Sequence, residues 1–250
     1  AKTQEGTLSI AGNNLINMTN SGNIISNGAT APIGMYAQNN SSLNRADANI
    51  TNSNTVDLRN SLNSIGAYIS GGTFTNTGSM SVGTNGIAVL ADMTDVNMSG
   101  GTINLTGNKA VGFHLENGSN ITGATGTVNV DGTDIVIFNI KGSSAPIPNG
   151  LTINPTAGST YILANIDEGL FTTGAGTLTA GANSVLISGT KSGVMIGAGT
   201  VVTSTGTNSV ALSADQVSTP PLILPYSVAA ENQGTIALGD NSAAIYVSNG

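Results

Sequence analysis

The sequence predicts an all-β fold, a right-handed parallel β-helix of three-strand coils. Three observations carry that prediction. The first is the stretch GTINLTGNKAVGFHLENGSNIT, Gly101 to Thr122, in which three short alternating runs (Ile103 and Leu105; Val111, Phe113 and Leu115; a third around Ile121) are separated by Gly/Asn turns. Alternate residues of a strand face opposite sides, so runs of this kind read as strands. The second is that the unit restarts at Gly126-Thr127-Val128 and recurs along the chain as Gly-Thr-apolar-x-apolar. Its first apolar position is held in turn by Ile24, Val56, Met80, Ile103, Val128, Leu151, Leu178, Val201 and Ile236. The third is an independent column in the second strand: Ile33, Ile65, Ile87, Val111, Ile135, Tyr161, Val185, Val210 and Ala243. Its spacings are 32, 22, 24, 24, 26, 24, 25 and 33 residues. Units of this period cannot bury an apolar face alone, so they stack, and the whole chain is expected to form one elongated domain. At roughly 4.8 Å per coil, about nine to ten coils give a rod of about 45 Å. The right hand comes from the general rule for parallel crossovers.

The elements follow in order. Ala1 to Thr19 reads as a short leading turn around Gly6-Thr7-Leu8-Ser9-Ile10. The first full repeat opens at Gly22 and carries a polar insertion near 38–50. Five repeats from Thr55 to about Gly176 are interrupted by KGSSAPIPNG, a Pro-containing loop at 141–150. The longest departure, near 214–233, contains PPLILPYS; Pro220, Pro221 and Pro225 cannot sit in a central parallel strand, so this segment must leave the ladder. In the repeating strand pair, Val111, Phe113 and Leu115 are expected to face the core, leaving Gly112 and His114 outside. Residues 1–250 are read as a single β-helix segment cut from a longer solenoid.

Composition narrows the function. Charged residues are 8% and the formal net charge is −7, which argues against a nucleic-acid partner, since phosphate binding needs clustered Lys and Arg. With no Cys and one His, thiolate metal sites and disulfide frameworks are excluded. No run approaches the 18 or so apolar residues of a membrane-spanning helix.

The repeated G-T-apolar-x-apolar followed by segments such as SIGAYI, NGIAVLA, KAVGFHL, NSVALSA and NSAAIYV resembles the passenger domains of type V autotransporters, in particular the Asn/Gly/Thr-rich adhesins of Gram-negative anaerobes. The resemblance covers essentially the whole chain. It implies a virulence-associated rod exposed at the cell surface, exported through the outer membrane by a carboxy-terminal β-barrel that these residues do not include. It also implies adhesion to a host or neighbouring-cell surface protein or glycan.

β-Helices also include polysaccharide lyases and hydrolases, whose chemistry needs paired carboxylates. Asp92/Asp95 and Asp131/Asp134 are the nearest pairs, and all four sit in turn sequences where Asp serves the backbone. His114 lacks a recognisable nucleophile motif beside it. No catalytic residue, metal ligand or cofactor is assigned, and no enzyme activity is expected. Binding is instead assigned to two places. One is an outward stripe of Tyr36, Tyr68, His114 and Phe138 beside a groove of small residues (Gly34, Gly66, Ala88, Gly112), suited to sugar faces or a partner's side chains. The other is the apolar insertion Leu222, Ile223, Leu224 and Tyr226. The expected function is a monomeric adhesin segment at the bacterial surface. A polysaccharide-active enzyme and a purely structural stalk are the alternatives.

Overall fold

The computed structural model describes residues 16–38, 48–146, 151–182, 184–204, 206–215 and 230–248. Every element among them is a β-strand, and strands of successive coils pair in parallel. The chain is therefore a parallel β-helix, and each full coil contributes a strand to each of three faces.

The first face holds the Gly-Thr motif. Its strands run from Ile24–Thr30 through Thr55–Leu62, Ser79–Val82, Thr102–Leu105 and Thr127–Val130 to Thr152–Pro155 as a six-stranded sheet. Gly176–Ala180, Thr200–Ser204 and Thr235–Ala237 form a separate three-stranded sheet, so the predicted coils are not one uniform stack. The second face is unbroken from Ile33–Gln38 to Ala243–Ser248. The third face runs from Ile16–Asn20 to Asn120–Ala124, then resumes as a four-stranded sheet from Ser144–Pro146 to Ala230–Asn232. Two 12-residue strands, Ile65–Asn76 and Ile87–Met98, bend through the corner between second and third faces.

The predicted core of the first face is correct in phase through the middle of the rod. Val56, Met80, Ile103 and Val128 are stacked in register and fully buried. Two members of that column are corrected. Val128 pairs with Ile153, not Leu151, because the strand of this coil begins at Thr152. Leu178 pairs with Val202, and Val201 turns outward, 37% exposed.

Corners are built by left-handed residues. Asn63, Asn85, Lys109, Asp134 and Asn208 turn the chain into the second face with φ of 53°, 55°, 58°, 58° and 59°. Asn and Asp adopt this conformation at lower cost than most side chains, which accounts for their abundance in the turns. The corners are also tied between coils, for example Asn85 N–H to the Asn108 carbonyl at 3.0 Å and Lys109 N–H to the Thr133 carbonyl at 2.9 Å.

Polar residues enter the interior as ladders. Asn20 donates to Asn52 at 2.8 Å, and the buried Asn52 donates to the buried Asn76 at 2.8 Å. An amide carries both donor and acceptor, so identical Asn residues one coil apart satisfy one another. The described ends of the three predicted insertions are strand: 48–50 lies in Ala48–Asn52, 144–146 is a strand, and 230–232 forms Ala230–Asn232.

The second-face strands depart from simple alternation. In Val111–Glu116, Gly112 and Phe113 are both buried, while Val111, His114 and Glu116 lie outward. The Cα pairing passes over this position in each coil, linking Val111 with Val136 and then Phe113 with Phe138. Two consecutive inward residues mark a bulge-like kink. The expectation that Val111 faces the core and Gly112 faces solvent is therefore overturned. Gly34, Gly66, Ala88 and Gly112 are not an outer groove but an interior column. A Cβ on Gly112 would stand 2.7 Å from the Ile137 carbonyl oxygen, which explains the glycine.

Candidate binding surface on the second face

The kink leaves three outward positions in each second-face strand. The position nearest the first face is filled by Ile33, Ile65, Ile87, Val111, Val136, Ile162, Val185 and Val210, matched in register from coil to coil. The column proposed from sequence as core is thus an outward stripe, with Val136 and Ile162 replacing the buried Ile135 and Tyr161. Ile33 is 46% exposed and the members from Ile65 onward are half-buried, each partly covered by its neighbours in the stack. The turns at Lys109-Ala110 and Asp134-Ile135 are equal in length, since Leu105 pairs with Val130 and Val111 with Val136, and Ile135 takes the buried corner position that Ala110 holds one coil earlier.

The other faces are different. Outward positions of the first face include Asn104, Asn129 and Asn154, with Asn129 donating to Asn104 at 2.8 Å. Those of the third face include Thr73, Thr75, Asp95 and Asn97. Through the middle of the rod, a continuous apolar column faces outward on the second face alone.

The middle outward column begins as expected. Tyr36 and Tyr68 are register neighbours with rings stacked at 5.2 Å and 14°, and Leu90 and His114 follow. Burial pushes the Tyr68 phenol above its ordinary value, with Asp92 and Tyr36 adding to the shift. Stacking along the rod turns each ring face toward the next coil, so the column presents ring edges and hydroxyls to solvent. Tyr36 donates its hydroxyl to Gln38.

Phe138 does not belong to this column. Its ring lies inside the rod on Phe113, at 5.1 Å and 10°, and Asn139 takes the outward slot beside His114. Ile135 matches the corner residue Ala110, so Phe138 matches Phe113 and not His114. Sequence spacing alone placed Phe138 three residues after Ile135, and the true start of the column is Val136.

His114 is a link in a polar chain. Its Nδ1 lies 2.8 Å from Asn139 Nδ2, and its Nε2 lies 2.8 Å from Glu116 Oε1. An amide nitrogen only donates, so Nδ1 accepts and Nε2 carries the proton toward Glu116. Asn165 continues the chain by donating to Asn139 at 2.9 Å. The middle column therefore changes along the rod, from aromatic and aliphatic at Tyr36 to Leu90 to polar from His114 onward.

The third outward column, at the corner with the third face, includes Asp92, Glu116, Lys141 and Asp167. Among the described residues, no group of three or more His, Cys, Asp or Glu is placed to hold a metal ion. Leu222, Ile223, Leu224 and Tyr226, the second predicted site, lie outside the described residues. The outer Ile/Val stripe was missed by sequence reasoning. The signal was present as one apolar column too many per repeat: a strand with x-apolar-Gly-apolar-x-apolar cannot send every apolar residue to one side.

No family model, no curated protein and no solved structure matches this chain.

Proposed function

We propose that this chain is a non-catalytic binding rod, a segment of a bacterial surface adhesin of the autotransporter-passenger type, and that its second face is the docking surface for a surface protein. The observation that carries the reading is the outward Ile/Val stripe on one face of a rod whose other faces present Asn, Thr and Ser. A contiguous outward apolar column, unlike single scattered apolar residues, is the kind of surface that marks interaction sites. A protein partner suits it better than a glycan. Sugar recognition by aromatics needs an open ring face, and the Tyr36 and Tyr68 rings are stacked on one another. Autotransporter passengers supply the family context through the repeat motif alone.

The test is adhesion to cells or immobilised surface protein. Replacing Tyr36 and Tyr68 together with Ser should weaken adhesion at least tenfold with unchanged circular dichroism, since truncating an aromatic anchor commonly costs about 2 kcal/mol. Asn129→Asp, on the first face, should leave adhesion unchanged. Equal adhesion by parent and double variant would remove the second face from the binding role.

A further inference from the structure

Resting on that reading, we infer that the partner at the second face is a second copy of this chain, lying alongside in antiparallel orientation.

The argument begins with period. The Ile/Val stripe repeats once per coil, about 4.8 Å. An amphipathic helix advances about 5.4 Å per turn, so its side chains would drift out of step by about one full rung over eight coils. A partner that stays in step along the whole stripe must itself be a parallel β-stack viewed on its side. The surfaces with that period present wherever this protein is present are its own faces, and of these the second carries the matching apolar stripe. Size is also adequate. Eight coils of about 4.8 Å by six residues of about 3.3 Å make a face of roughly 38 by 20 Å. That is about 760 Å², level with the roughly 800 Å² per partner of a standard stable interface.

Charge selects the orientation and the register. Each second-face strand has a charged or polar residue at both edges: Lys109 and Glu116 in one coil, Asp134 and Lys141 in the next. The signs are reversed between the two coils. A two-fold axis along the strand direction, midway between these coils, sets Lys109 opposite the second copy's Asp134 and Glu116 opposite its Lys141. Both pairs are then made twice. The same axis lays the apolar stripe on itself, with Val111 on Val136, Ile87 on Ile162 and Ile65 on Val185. Slipping by one coil would centre the pair on a single coil, facing Lys109 with Lys109 and Glu116 with Glu116, or Asp134 with Asp134. Like charges brought together in this way reject the wrong register. Turning the copies parallel would lay Val136, Ile162 and Val185 on Asn139, Asn165 and Ser188, which wastes the stripe. Lys109, Asp134 and Lys141 take part in neither the Arg59–Asp57 nor the Lys191–Glu168 ion pair, and Glu116 accepts a hydrogen bond from the neutral His114 ring. The register does bring Asp92 near the second copy's Asp167, so moderate salt should favour pairing more than very low salt.

Sedimentation of the 250-residue chain across a concentration series is the primary test, and a dimer is expected at tens of micromolar. Ile65→Lys with Ile87→Lys should shift the dimer midpoint at least a hundredfold. Lys109→Glu should weaken pairing about tenfold, and adding Asp134→Lys should restore it. The chain has no Cys, so a Val111→Cys chain oxidised together with a Val136→Cys chain should give a covalent heterodimer, while neither alone crosslinks efficiently. A parent that stays monomeric would overturn the second copy as partner. So would a dimer indifferent to the charge swap and without the mixed crosslink. If the parent is monomeric but Ile65→Lys with Ile87→Lys still abolishes adhesion, the second face remains the docking surface and only the identity of its partner falls.

Discussion

Tyr161 shows how one residue can differ in role from its place in a repeat. It occupies the corner before the second face, buried, with its hydroxyl donating to the Thr179 carbonyl. Burial pushes its phenol above the ordinary tyrosine value. A raised acidic group is neutral in the fold until a higher pH than in the unfolded chain. Its stabilising contribution is therefore complete below about pH 10, the unfolded value, and is lost as pH rises through the folded one. Tyr161→Phe should remove part of the alkaline loss of stability. At neutral pH it should cost about 1 kcal/mol, because the Thr179 carbonyl loses its donor. Denaturant melts of both proteins at pH 8 and pH 11 check this. A pH slope identical in the two would show that the phenol titrates elsewhere.

At the scale of the strand, the first face gives a sharp contrast between adjacent residues. Val128 is fully buried between Ile103 and Ile153, and Asn129 beside it points outward between Asn104 and Asn154. Val128→Asp should destabilise by several kcal/mol, since a buried charge is left unpaired. Asn129→Asp should change stability by about 0.5 kcal/mol or less, as surface substitutions do, even though it gives up one cross-coil amide bond. Thermal melts of the two variants measure it, and similar losses would mean that the strand phase is inverted.

The first-face phase was legible because that strand obeys strict alternation and its apolar residues recur as Val56, Met80, Ile103 and Val128. The second-face strand was legible as a strand and in period, but not in orientation. Its kink inserts a second inward residue, so a two-residue rule started at Val111 assigns Val111 and Gly112 to the wrong sides. Tyr36, Tyr68 and His114 came out correctly because they lie beyond the kink, where counting inward from Leu115 works. Phe138 came out wrong because Ile135, apolar like Val111, occupies the corner position of Ala110, and a register begun one residue early reverses every side chain after it. Which of the adjacent apolar residues Ile135 and Val136 opens the outward column is fixed by cross-coil bonding, Val136 N–H to the Ala110 carbonyl at 3.0 Å, which periodic pattern alone does not encode.

Over the whole molecule, the three faces are not equally continuous, and that has consequences for how the rod comes apart. The third-face sheet is interrupted between Asn120–Ala124 and Ser144–Pro146, and the first-face sheet between Thr152–Pro155 and Gly176–Ala180. Across this region only the second face carries its ladder through, from Val111–Glu116 by Ile135–Lys141 and Tyr161–Asp167 to Val185–Thr190. In a solenoid, stability is close to a sum of coil terms and nearest-neighbour interface terms. The two interruptions flank a pair of coils that stay joined on all three faces, and each removes one face from a junction, which lowers the interface terms there and divides the rod into cooperative units on either side of that pair. Phe113 on Phe138 and the His114–Asn139–Asn165 chain are among the contacts that bridge the seam. Native-state hydrogen exchange followed by mass spectrometry should therefore give two opening free energies, with the boundary falling between residues 125 and 176. Phe138→Ala should widen the gap between them, because it removes a fully buried ring at the seam and so costs about 3–5 kcal/mol of coupling and packing. A single opening free energy for peptides on both sides of the seam, in the parent and in Phe138→Ala alike, would show that the two faces still paired at each junction make the rod one cooperative body.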